Sequence, residues 1–344
     1  MFRKPICLVI LCALVLSVTA GCSSPYRYSD ENGEYFSGTA TFFDTYVSVT
    51  MYEGGSDTLM DAVFNICREC NEAFARTSSD SEIYKLNDES ASGDAALSDF
   101  KVSVETAEVL EKALYFSRLS NGAFDVSIGA VSKLWDFKAD DPAVPQTTAV
   151  EAALPLVDHS GVSLNGTKVS LAKKGMELDL GGIAKGYAAD RIGEYLKENG
   201  VTSALISLGG NILCVGEKKA GAPFKIGIQK PFADYAETVA VMEIRDKSVV
   251  SSGVYERCFT KDGKLYHHLL DPKTGFPADS SLLEVTVVGD CSADCDVLST
   301  ALFVMGLDEG MKLIDGIDGY YAVFITKDYE LFYSKGFLEN IKVL

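Results

Sequence analysis

The sequence is poor in positive charge, histidine and tryptophan, and each shortage narrows the range of functions. Lysine and arginine number 31 against 49 aspartates and glutamates, which gives a formal net charge of −18. Nucleic-acid backbones are bound by basic surfaces, so we expect no nucleic-acid partner. The 344 residues include three histidines and one tryptophan. Any chemistry that needs a histidine therefore has few candidates.

Long repeats and two familiar nucleotide motifs are also missing. The chain has no repeat of solenoid length, no G-x-G-x-x-G fingerprint and no Walker A loop. What is present is typical of a globular protein, with 47% hydrophobic and 23% charged residues. The length suits one large domain or two modest ones. Strand-like and helix-like segments follow one another in mixed order, which favours an α+β fold over a doubly wound parallel sheet.

The N-terminal region has the features of an export signal. A short basic start precedes the apolar stretch 6–18, which is too short to span a bilayer comfortably. Thr19-Ala20-Gly21-Cys22 resembles the lipobox of bacterial lipoproteins, with Thr19 where leucine is usual. We expect a signal peptide over 1–21, a lipidated tether over 22–38 and a diacylated Cys22. The expected location is the extracytoplasmic face of the cell membrane; a secreted protein and an uncleaved anchor are the alternatives.

Six cysteines follow Cys22, and their role is open at this point. They are Cys67, Cys70, Cys214, Cys258, Cys291 and Cys295. An even number outside the cytoplasm is compatible with disulfides. The spacings C-x-x-C and C-x-x-x-C are compatible with zinc. Both pairs lie in apparently helical, partly apolar stretches without the turn residues of a zinc knuckle, which favours small buried side chains.

Hydrophobic periodicity predicts the coarse secondary structure. Helices are expected over 57–74 with Asp57 as N-cap, 99–119, 183–199 and 295–305; strands over 39–52, 162–171, 176–180, 203–207, 224–228, 238–245, 248–251, 283–288, 319–326 and 331–334. A hairpin over 260–268 has Asp262-Gly263 as its turn. The polar segments 77–98 and 138–150 are expected to be loops.

The stretch from Glu177 to Tyr187 carries the strongest chemical signal. Two carboxylates end a predicted strand, Gly181-Gly182 lets the backbone approach a ligand, and Lys185 stands in the first turn of a helix. Free N–H groups at a helix start and a nearby lysine suit a phosphate. A purely structural glycine turn is the alternative.

Two further groups of residues are candidates for catalysis and metal binding. His267 and His268 precede a turn rich in proline and glycine, and histidine is a suitable base near neutral pH. A surface or core histidine is the alternative. Asp296 and Thr300 lie four residues apart, so they share one helix face and suit a hard cation. A helix cap and a back-bonded hydroxyl are the alternatives.

Together these motifs resemble the ApbE family of FAD:protein FMN transferases, in the family's order and through nearly the whole chain after the signal. The matching motifs are Phe43-Asp44-Thr45, Asp80-Ser81-Glu82-Ile83 with Leu86-Asn87, Gly122-Ala123-Phe124-Asp125 with Leu134-Trp135, Asp179 to Tyr187, Ser207-Leu208-Gly209-Gly210-Asn211, Ser252-Gly253, His268 to Pro277, and Asp296 to Leu302.

The resemblance implies a fold and a set of site residues. The fold would be a single α+β domain over 39–344, built from T-fold-like halves with FAD in the groove between them. The positions that match the family's FAD contacts are Phe43, Thr77, Ala123, Phe124, Asp125, Asp179, Lys185, Ser252 and Leu270. Mg²⁺ would be held by the Gly182 carbonyl, Asp296 and Thr300, and His268 would assist catalysis.

The resemblance also implies the reaction. With Mg²⁺, FMN would pass from FAD to a Thr or Ser hydroxyl of an acceptor flavoprotein, with release of AMP. The expected acceptor is an extracytoplasmic subunit of a membrane electron-transfer complex. Mg²⁺-dependent hydrolysis of FAD to FMN and AMP is one alternative, an exported flavin-binding lipoprotein without catalysis is another, and a zinc-binding structural protein is a third.

Three positions depart from the family pattern. Phe43 stands where methionine is frequent, and Ser251 replaces the usual threonine before Ser252-Gly253. Thr77 stands where an aromatic residue is common in the family and stacks on the nucleotide. In the family that position is linked to whether FAD is retained or hydrolysed, and a threonine cannot stack.

Overall fold

A nine-stranded antiparallel sheet organises the chain in the computed structural model, which describes residues 24–31, 33–234 and 237–344. In chain order the strands are β1 (Arg27–Asp30), β2 (Gly33–Phe42), β3 (Thr45–Glu53), β4 (Phe100–Lys101), β5 (Val162–Asn165), β6 (Lys168–Leu171), β7 (Ser203–Leu208), β8 (Asn211–Gly216), β9 (Phe224–Gln229), β10 (Thr238–Ile244), β11 (Ser248–Gly253), β12 (Cys258–Lys261), β13 (Lys264–His267), β14 (Leu282–Gly289), β15 (Tyr321–Thr326), β16 (Leu331–Tyr333) and β17 (Lys342–Val343). The large sheet has the order β1-β2-β3-β7-β8-β11-β14-β15-β16. The remaining strands form the smaller sheets β17-β10-β9, β12-β13 and β4-β6-β5.

Eight helices connect these strands in the part of the chain that the structure describes. They are α1 (Asp57–Phe74), α2 (Glu82–Ser92), α3 (Val104–Leu119), α4 (Gly129–Ser132), α5 (Thr147–Ala153), α6 (Ala184–Glu198), α7 (Ser292–Ile314) and α8 (Phe337–Asn340), with short 3₁₀ turns at Leu154–Leu156, His159–Gly161 and Lys219–Gly221. Helices α1, α6 and α7 pack on the large sheet and on each other. The sheet β17-β10-β9 covers part of the opposite face, where Cys214, Val249 and Val323 are buried. The α+β prediction is therefore confirmed.

Local sequence explains where the principal helices begin. The Ser56 hydroxyl accepts a hydrogen bond from the Leu59 amide and caps α1, and Ser103 does the same for α3 through Thr106. The apolar residues of α1 recur at helical spacing and are buried. Helix α6 ends at Glu198 with Asn199 as its C-cap, and Gly200 follows with φ +83°, a conformation that favours glycine. The predicted helices at 57–74 and 183–199 are confirmed, although the cap of α1 is Ser56 and not Asp57.

The predicted tether over 22–38 is wrong for the part that the structure describes. Residues 27–30 and 33–38 belong to β1 and β2, which extend the large sheet at one edge. Strand β2 pairs with β3 from Phe36 to Phe42, and Met60 and Phe64 of α1 lie against Gly38. The polar composition of this segment led to the wrong prediction, because one side of the strand packs on α1 and the other side is largely exposed. Cys22 and the predicted signal peptide lie outside the described residues.

Other boundaries differ for physical reasons. Residues 82–92, expected to be a loop, form α2, because Ser81 caps the helix and Ile83 and Leu86 are buried in the core. Helix α5 begins at Thr147, inside the other expected loop over 138–150. The segment 176–180 makes a single bridge between Glu177 and Ile128 instead of a strand. Helix α7 continues past a break at Gly306 to Ile314.

The cysteines are buried or half-buried thiols. The structure contains no disulfide among its described residues, and the six cysteines after Cys22 are free. Burial raises the pKa of the Cys67 and Cys70 thiols to about 12. Within residues 24–31, 33–234 and 237–344, no helix combines the length and the hydropathy that a membrane span requires.

Candidate active site

The segment before α6 is fixed by a buried asparagine. The Asn87 side-chain amide donates to the Leu178 carbonyl at 2.9 Å, and its oxygen accepts from the Leu178 amide at 2.7 Å. The Asp179 amide donates to the Val126 carbonyl at 2.9 Å. A side chain thus takes the place of a strand partner at Leu178. This arrangement holds Asp179 and the following Gly181-Gly182 in place.

Three groups hold the Asp179 carboxylate. One oxygen accepts from the Gly181 amide at 2.9 Å, and the other accepts from the Ser132 hydroxyl at 2.6 Å. The Arg76 Nε lies 3.3 Å from that second oxygen. Neither Arg76 nor Ser132 is among the residues predicted from the sequence, although Arg76 directly precedes Thr77. The carboxylate is therefore oriented by its own loop, by α4 and by the turn after α1.

Helices α6 and α7 meet at an ion pair. The Lys185 ammonium lies 3.0 Å from one oxygen of Asp296 and 3.3 Å from the other, and the Gly186 amide donates to Asp296 at 3.0 Å. The Asp296 side chain is almost fully buried. Gly186 makes this approach possible, since a Cβ added there would lie 2.4 Å from the Ser292 carbonyl oxygen. Asp190 of α6 accepts from the amides at the start of α7 and fixes the crossing.

Hydroxyl groups surround the next turn of α7. The Thr300 hydroxyl lies 3.3 Å from the Ser252 hydroxyl, which also contacts Ser299 at 2.8 Å. A Cβ added at Gly182 would lie 3.8 Å from the Thr300 hydroxyl and 3.0 Å from the Phe124 ring. The structure therefore brings together Gly182, Thr300 and Ser252, which lie on a loop, a helix and a strand that are distant in sequence.

The donor set in this region fits a magnesium ion. Among the described residues there is no group of three or more His, Cys, Asp or Glu side chains that could hold a metal. Asp296 instead has a hydroxyl one turn away in Thr300, which in turn lies near Gly182. One carboxylate, one hydroxyl and one backbone carbonyl are hard oxygen donors of the kind that Mg²⁺ prefers. The assignment of these three residues to Mg²⁺ stays a prediction.

His268 follows the hairpin β12-β13 and is held neutral. Its backbone amide donates to the Arg257 carbonyl at 3.1 Å, and its Nδ1 is buried without a hydrogen-bond partner among the described residues. Burial lowers the pKa of His268 to about 3, and the charges of Arg257, His267 and Lys185 act in the same direction. The neutral imidazole can accept a proton, but a pKa of about 3 makes it a weaker base than an ordinary histidine.

The motif from Ala123 to Asp125 lies between the ion pair and a hollow. Ala123 and Phe124 are buried, and the ring of Phe124 approaches Gly182. The Asp125 carboxylate accepts from the amide and hydroxyl of Ser127, and its other oxygen lies 3.0 Å from His159 Nδ1. Its oxygens are thus engaged within the protein, and a direct contact with FAD would compete with these bonds.

The hollow beside Asp125 has a volume of about 390 Å³. It is lined by Asn121, Gly122, Asp125, Leu154, Val157, Asp158, His159, Pro272 and Lys273. A second hollow of about 660 Å³ lies between α1, α3 and α6 and is lined by Glu69, Glu105, Glu108, Glu194 and Glu198 among others. Although larger, the second hollow suits an anionic nucleotide poorly, because its carboxylates would repel phosphate.

Three of the predicted FAD contacts have local surroundings that show no contact with Lys185 or Asp296 among the described residues. Leu270 is buried in a cluster with Ala130, Val131 and Trp135. Phe43 has φ +51° in the turn between β2 and β3, and its amide donates to the Asn71 side chain at 3.0 Å. Thr77 is exposed in the turn after α1. Their contacts with a nucleotide stay predictions.

Comparison with known proteins gives one consistent result. The family model described as "ApbE family" matches residues 43–325. A FAD:protein FMN transferase of Treponema pallidum is 36% identical over 300 residues, covering 83% of this chain and 82% of the relative. A FAD:protein FMN transferase of Klebsiella pneumoniae is 35% identical over 280 residues, covering 81% and 85%.

Solved structures agree with the sequence relatives. The ApbE protein of Thermotoga maritima superposes with a TM-score of 0.79 at 28% identity, covering 89% of this chain and 98% of the other. The flavin transferase ApbE of Vibrio cholerae superposes with a TM-score of 0.78 at 27% identity, with the same coverage. The match over residues 43–325 and the two relatives above 30% identity show that the chain belongs to the ApbE family.

Proposed function

We propose that this chain is a FAD:protein FMN transferase, which moves FMN from FAD to a Ser or Thr hydroxyl of an acceptor flavoprotein and releases AMP. The observation that carries the proposal is that the Lys185–Asp296 pair joins α6 to α7, while one turn further along α7 Thr300 lies beside Ser252 and near Gly182. The names of the Treponema pallidum and Klebsiella pneumoniae relatives supply the reaction.

The residues of the site would act in a defined order. The Lys185 ammonium in the first turn of α6 attracts the pyrophosphate of FAD, and Phe124 limits its approach to Gly182. The neutral His268 accepts the proton of the acceptor hydroxyl. The acceptor oxygen then forms a bond to the phosphorus of FMN, and the bond between that phosphorus and the bridging oxygen breaks, so AMP leaves. Bound Mg²⁺ would neutralise charge on the phosphates.

Hydrolysis of FAD is a second candidate activity, and one observation favours it. Water can take the place of the acceptor hydroxyl, and the exposed Thr77 offers no ring to retain the nucleotide. The same residues would then produce FMN and AMP. An exported flavin-binding protein without catalytic activity would instead leave FAD intact. Intact FAD therefore distinguishes this alternative from both the transferase and the hydrolase.

One experiment distinguishes these functions. The purified protein is incubated with FAD, Mg²⁺ and a flavin-free acceptor protein, and the acceptor mass and the AMP released are measured. Transfer predicts covalent FMN on the acceptor and one AMP for each FMN attached. If AMP is released while the acceptor stays unmodified, the protein hydrolyses FAD and does not transfer FMN. If FAD stays intact, the protein has neither activity. Omission of Mg²⁺ is the control for metal dependence.

We also propose a lipid-anchored location on the extracytoplasmic face of the membrane, with an extracytoplasmic subunit of a membrane electron-transfer complex as acceptor. The support is the sequence around Cys22, which resembles a lipobox. Strand β1 of the large sheet begins at Arg27, a few residues after Cys22. A protein anchored in this way would be held close to the membrane surface.

A further inference from the structure

Helix α7 is capped by a residue of another helix. Its own N-cap residue, Cys291, makes no side-chain cap hydrogen bond. The Asp190 carboxylate of α6 takes this role, because one oxygen accepts from the Ser292 amide at 2.7 Å and the other accepts from the Ala293 amide at 2.8 Å. The Cys291 thiol also donates to Asp190, at 3.2 Å. A carboxylate is favourable at the start of a helix, since it binds free N–H groups and the positive end of the helix dipole.

Helix α6 is capped in the reverse direction. Its N-cap residue, Ile183, makes no side-chain cap hydrogen bond, and the Asp296 carboxylate of α7 accepts from the Gly186 amide at 3.0 Å. Each helix therefore supplies the carboxylate that caps the other. The two caps differ in one respect, because Asp296 is also the carboxylate predicted to bind Mg²⁺, whereas both oxygens of Asp190 are engaged by the start of α7.

The Asp190 cap lies at the point where the two helices cross. A Cβ added at Gly186 would lie 2.4 Å from the Ser292 carbonyl oxygen, so the two backbones touch beside the residues that Asp190 holds. Asp296 follows Ser292 by about one helical turn, and Thr300 follows after another turn. A shift at the start of α7 would therefore move both predicted metal ligands relative to α6.

Metal binding would leave the Asp190 cap as the stable connection between the helices. In this structure the Lys185 ammonium lies 3.0 and 3.3 Å from the two oxygens of Asp296. Mg²⁺ at that carboxylate would compete with the ammonium and with the Gly186 amide, so the connection through Asp296 weakens when the metal binds. The partners of Asp190 are the start of α7 itself, and they take no part in this exchange.

We propose that Asp190 is a positioning residue for the metal site. It holds the start of α7 on α6 while Asp296 exchanges Lys185 for Mg²⁺, and so keeps Asp296 and Thr300 in the arrangement that the metal requires. This role rests on the function proposed above and on the predicted magnesium ligands. Residues that orient metal ligands without touching the metal change metal affinity or activity by about 10- to 100-fold when they are substituted.

Asp190→Asn tests this role. Asparagine has one acceptor oxygen, so it can hold one of the two amides and turns an NH₂ group toward the other. The full-length protein is titrated with Mg²⁺ by calorimetry, and AMP release at saturating FAD is measured over a range of Mg²⁺ concentrations. We expect the dissociation constant for Mg²⁺ and the Mg²⁺ concentration for half-maximal activity to rise about tenfold.

Two further readouts separate positioning from a loss of stability. A purely structural role would reduce the fraction of folded protein and hence the apparent kcat, and it would leave both Mg²⁺ constants unchanged. Positioning predicts the opposite pattern, with a larger change in the Mg²⁺ constants than in kcat at saturating Mg²⁺. Asp190→Glu retains the charge and both oxygens and should restore much of the Mg²⁺ affinity. If Asp190→Asn does not fold, Asp190→Ser, whose hydroxyl can still accept from one amide, should shift the same constants in the same direction.

Glu82→Gln is the matched control. The Glu82 carboxylate of α2 holds the start of α3 in a similar way, since it accepts from the Ser103 amide at 3.0 Å and from the Thr106 hydroxyl at 2.6 Å. Neither α2 nor α3 carries a predicted metal ligand, so this variant should lose stability without a change in Mg²⁺ affinity.

Unchanged Mg²⁺ constants in the folded Asp190 variants overturn the positioning role, and so does an equal rise in Glu82→Gln. Failure of the proposed function is a different result, because it appears in the unmodified protein. If that protein binds no Mg²⁺, the predicted metal site is wrong and the role of Asp190 fails with it. If it neither releases AMP nor attaches FMN to a protein, the proposed function itself is wrong.

Discussion

The Lys185 ammonium lies between the two carboxylate oxygens of Asp296, at 3.0 and 3.3 Å, and thereby joins the first turn of α6 to α7. A buried carboxylate requires a counter-charge or hydrogen bonds, and Lys185 and the Gly186 amide provide both. The two helices are therefore held in the arrangement that the site needs. Mg²⁺ bound to Asp296 would compete with the Lys185 ammonium, so this carboxylate would pair with Lys185 in the metal-free protein and with Mg²⁺ when the metal binds.

Asp296→Asn should remove most of the FAD turnover while the protein stays folded. Asparagine can still accept from the Gly186 amide, but it lacks the charge that Mg²⁺ requires. A loss of about 3 kcal/mol of transition-state stabilisation corresponds to a decrease in kcat of about 100-fold. AMP release at saturating FAD measures the change, and circular dichroism shows whether the fold is retained.

A second comparison assigns the effect to the metal. EDTA should abolish the activity of the unmodified protein, and added Mg²⁺ should restore it. The substituted side chain in Asp296→Asn is uncharged, so excess Mg²⁺ should restore little activity to that variant. Activity that survives both the substitution and EDTA would show that the reaction does not depend on a metal at this position.

Gly186→Ala should separate α6 from α7 and reduce stability. An added Cβ would lie 2.4 Å from the Ser292 carbonyl oxygen and 2.6 Å from the Ala293 Cα, both in the backbone. Because backbone cannot rotate away, we expect a loss of about 1–3 kcal/mol in the free energy of unfolding. Urea denaturation measures it. Gly186→Ala should also lower kcat, because Lys185 and Asp296 would move apart. A variant that loses the same stability at a position outside the site should lower kcat less.

Gly193→Ala is the matched control in the same helix. Its nearest atom would be the Leu213 Cδ2 at 2.7 Å, the end of a flexible side chain. Alanine gains up to about 1 kcal/mol of helix propensity, which offsets the crowding. The two glycines should therefore differ clearly in their effect. Equal effects would show that the α6–α7 crossing tolerates an added methyl group.

His267→Gln should make the protein less sensitive to acid. Burial lowers the pKa of His267 to about 4, below its ordinary 6.5. Above pH 6.5 His267 is neutral in both the folded and the unfolded protein, so its burial does not reduce the free energy of unfolding. As the pH falls from 6.5 to 4, the unfolded chain gains a proton that the folded chain does not, so stability is lost. We therefore expect the free energy of unfolding to fall between pH 7 and pH 4.5 in both proteins, and to fall by about 2 kcal/mol less in His267→Gln than in the unmodified protein. Parallel pH profiles would contradict this account.

Local signals are enough to predict much of the fold. The helical spacing in α1, the Gly200 stop of α6 and the Asp262-Gly263 turn of the hairpin each determine an element without distant contacts. The predictions for residues 33–38 and 82–92 are wrong because both segments are polar on their exposed side. Their structure depends on burial of the other side against residues far along the chain. Sequence periodicity over such short segments does not reveal that burial.

The site shows the same division. Asp296 and Thr300 are visible in the sequence because they lie four residues apart on one helix, and Lys185 because it stands in the first helical turn after Gly181-Gly182. Arg76 and Ser132 are not, because nothing in their local sequence indicates Asp179, which they contact only in the folded chain. The competing partner of Asp125 is hidden for the same reason, since His159 lies 34 residues away along the chain.

Cys22→Ala should release the protein from the membrane fraction or leave the precursor unprocessed. The change removes the only atom that the predicted diacylglycerol can modify at this position. Two acyl chains attach a protein stably to a membrane, and a protein without acyl chains at residue 22 lacks this anchor. Fractionation followed by mass analysis of the N-terminus measures the effect. An unmodified protein that carries no lipid at Cys22 would contradict the prediction.

Thr77→Tyr should tighten FAD binding and slow its hydrolysis. Thr77 is exposed in the turn after α1, and its neighbour Arg76 reaches the Asp179 carboxylate at 3.3 Å, so the turn borders the site. A ring stacked on a nucleotide base contributes about 1–3 kcal/mol, or about 5- to 150-fold in affinity. Threonine forgoes this contact. Transfer to an acceptor should change less, because Lys185, Asp296 and His268 are untouched.

FAD affinity, AMP release without acceptor and covalent FMN with acceptor are measured for Thr77→Tyr and for Thr77→Val, in which valine is similar in size to threonine and has no ring. If tyrosine and valine give the same affinity and the same hydrolysis, residue 77 does not face the nucleotide, and the retention of FAD must be controlled elsewhere in the site.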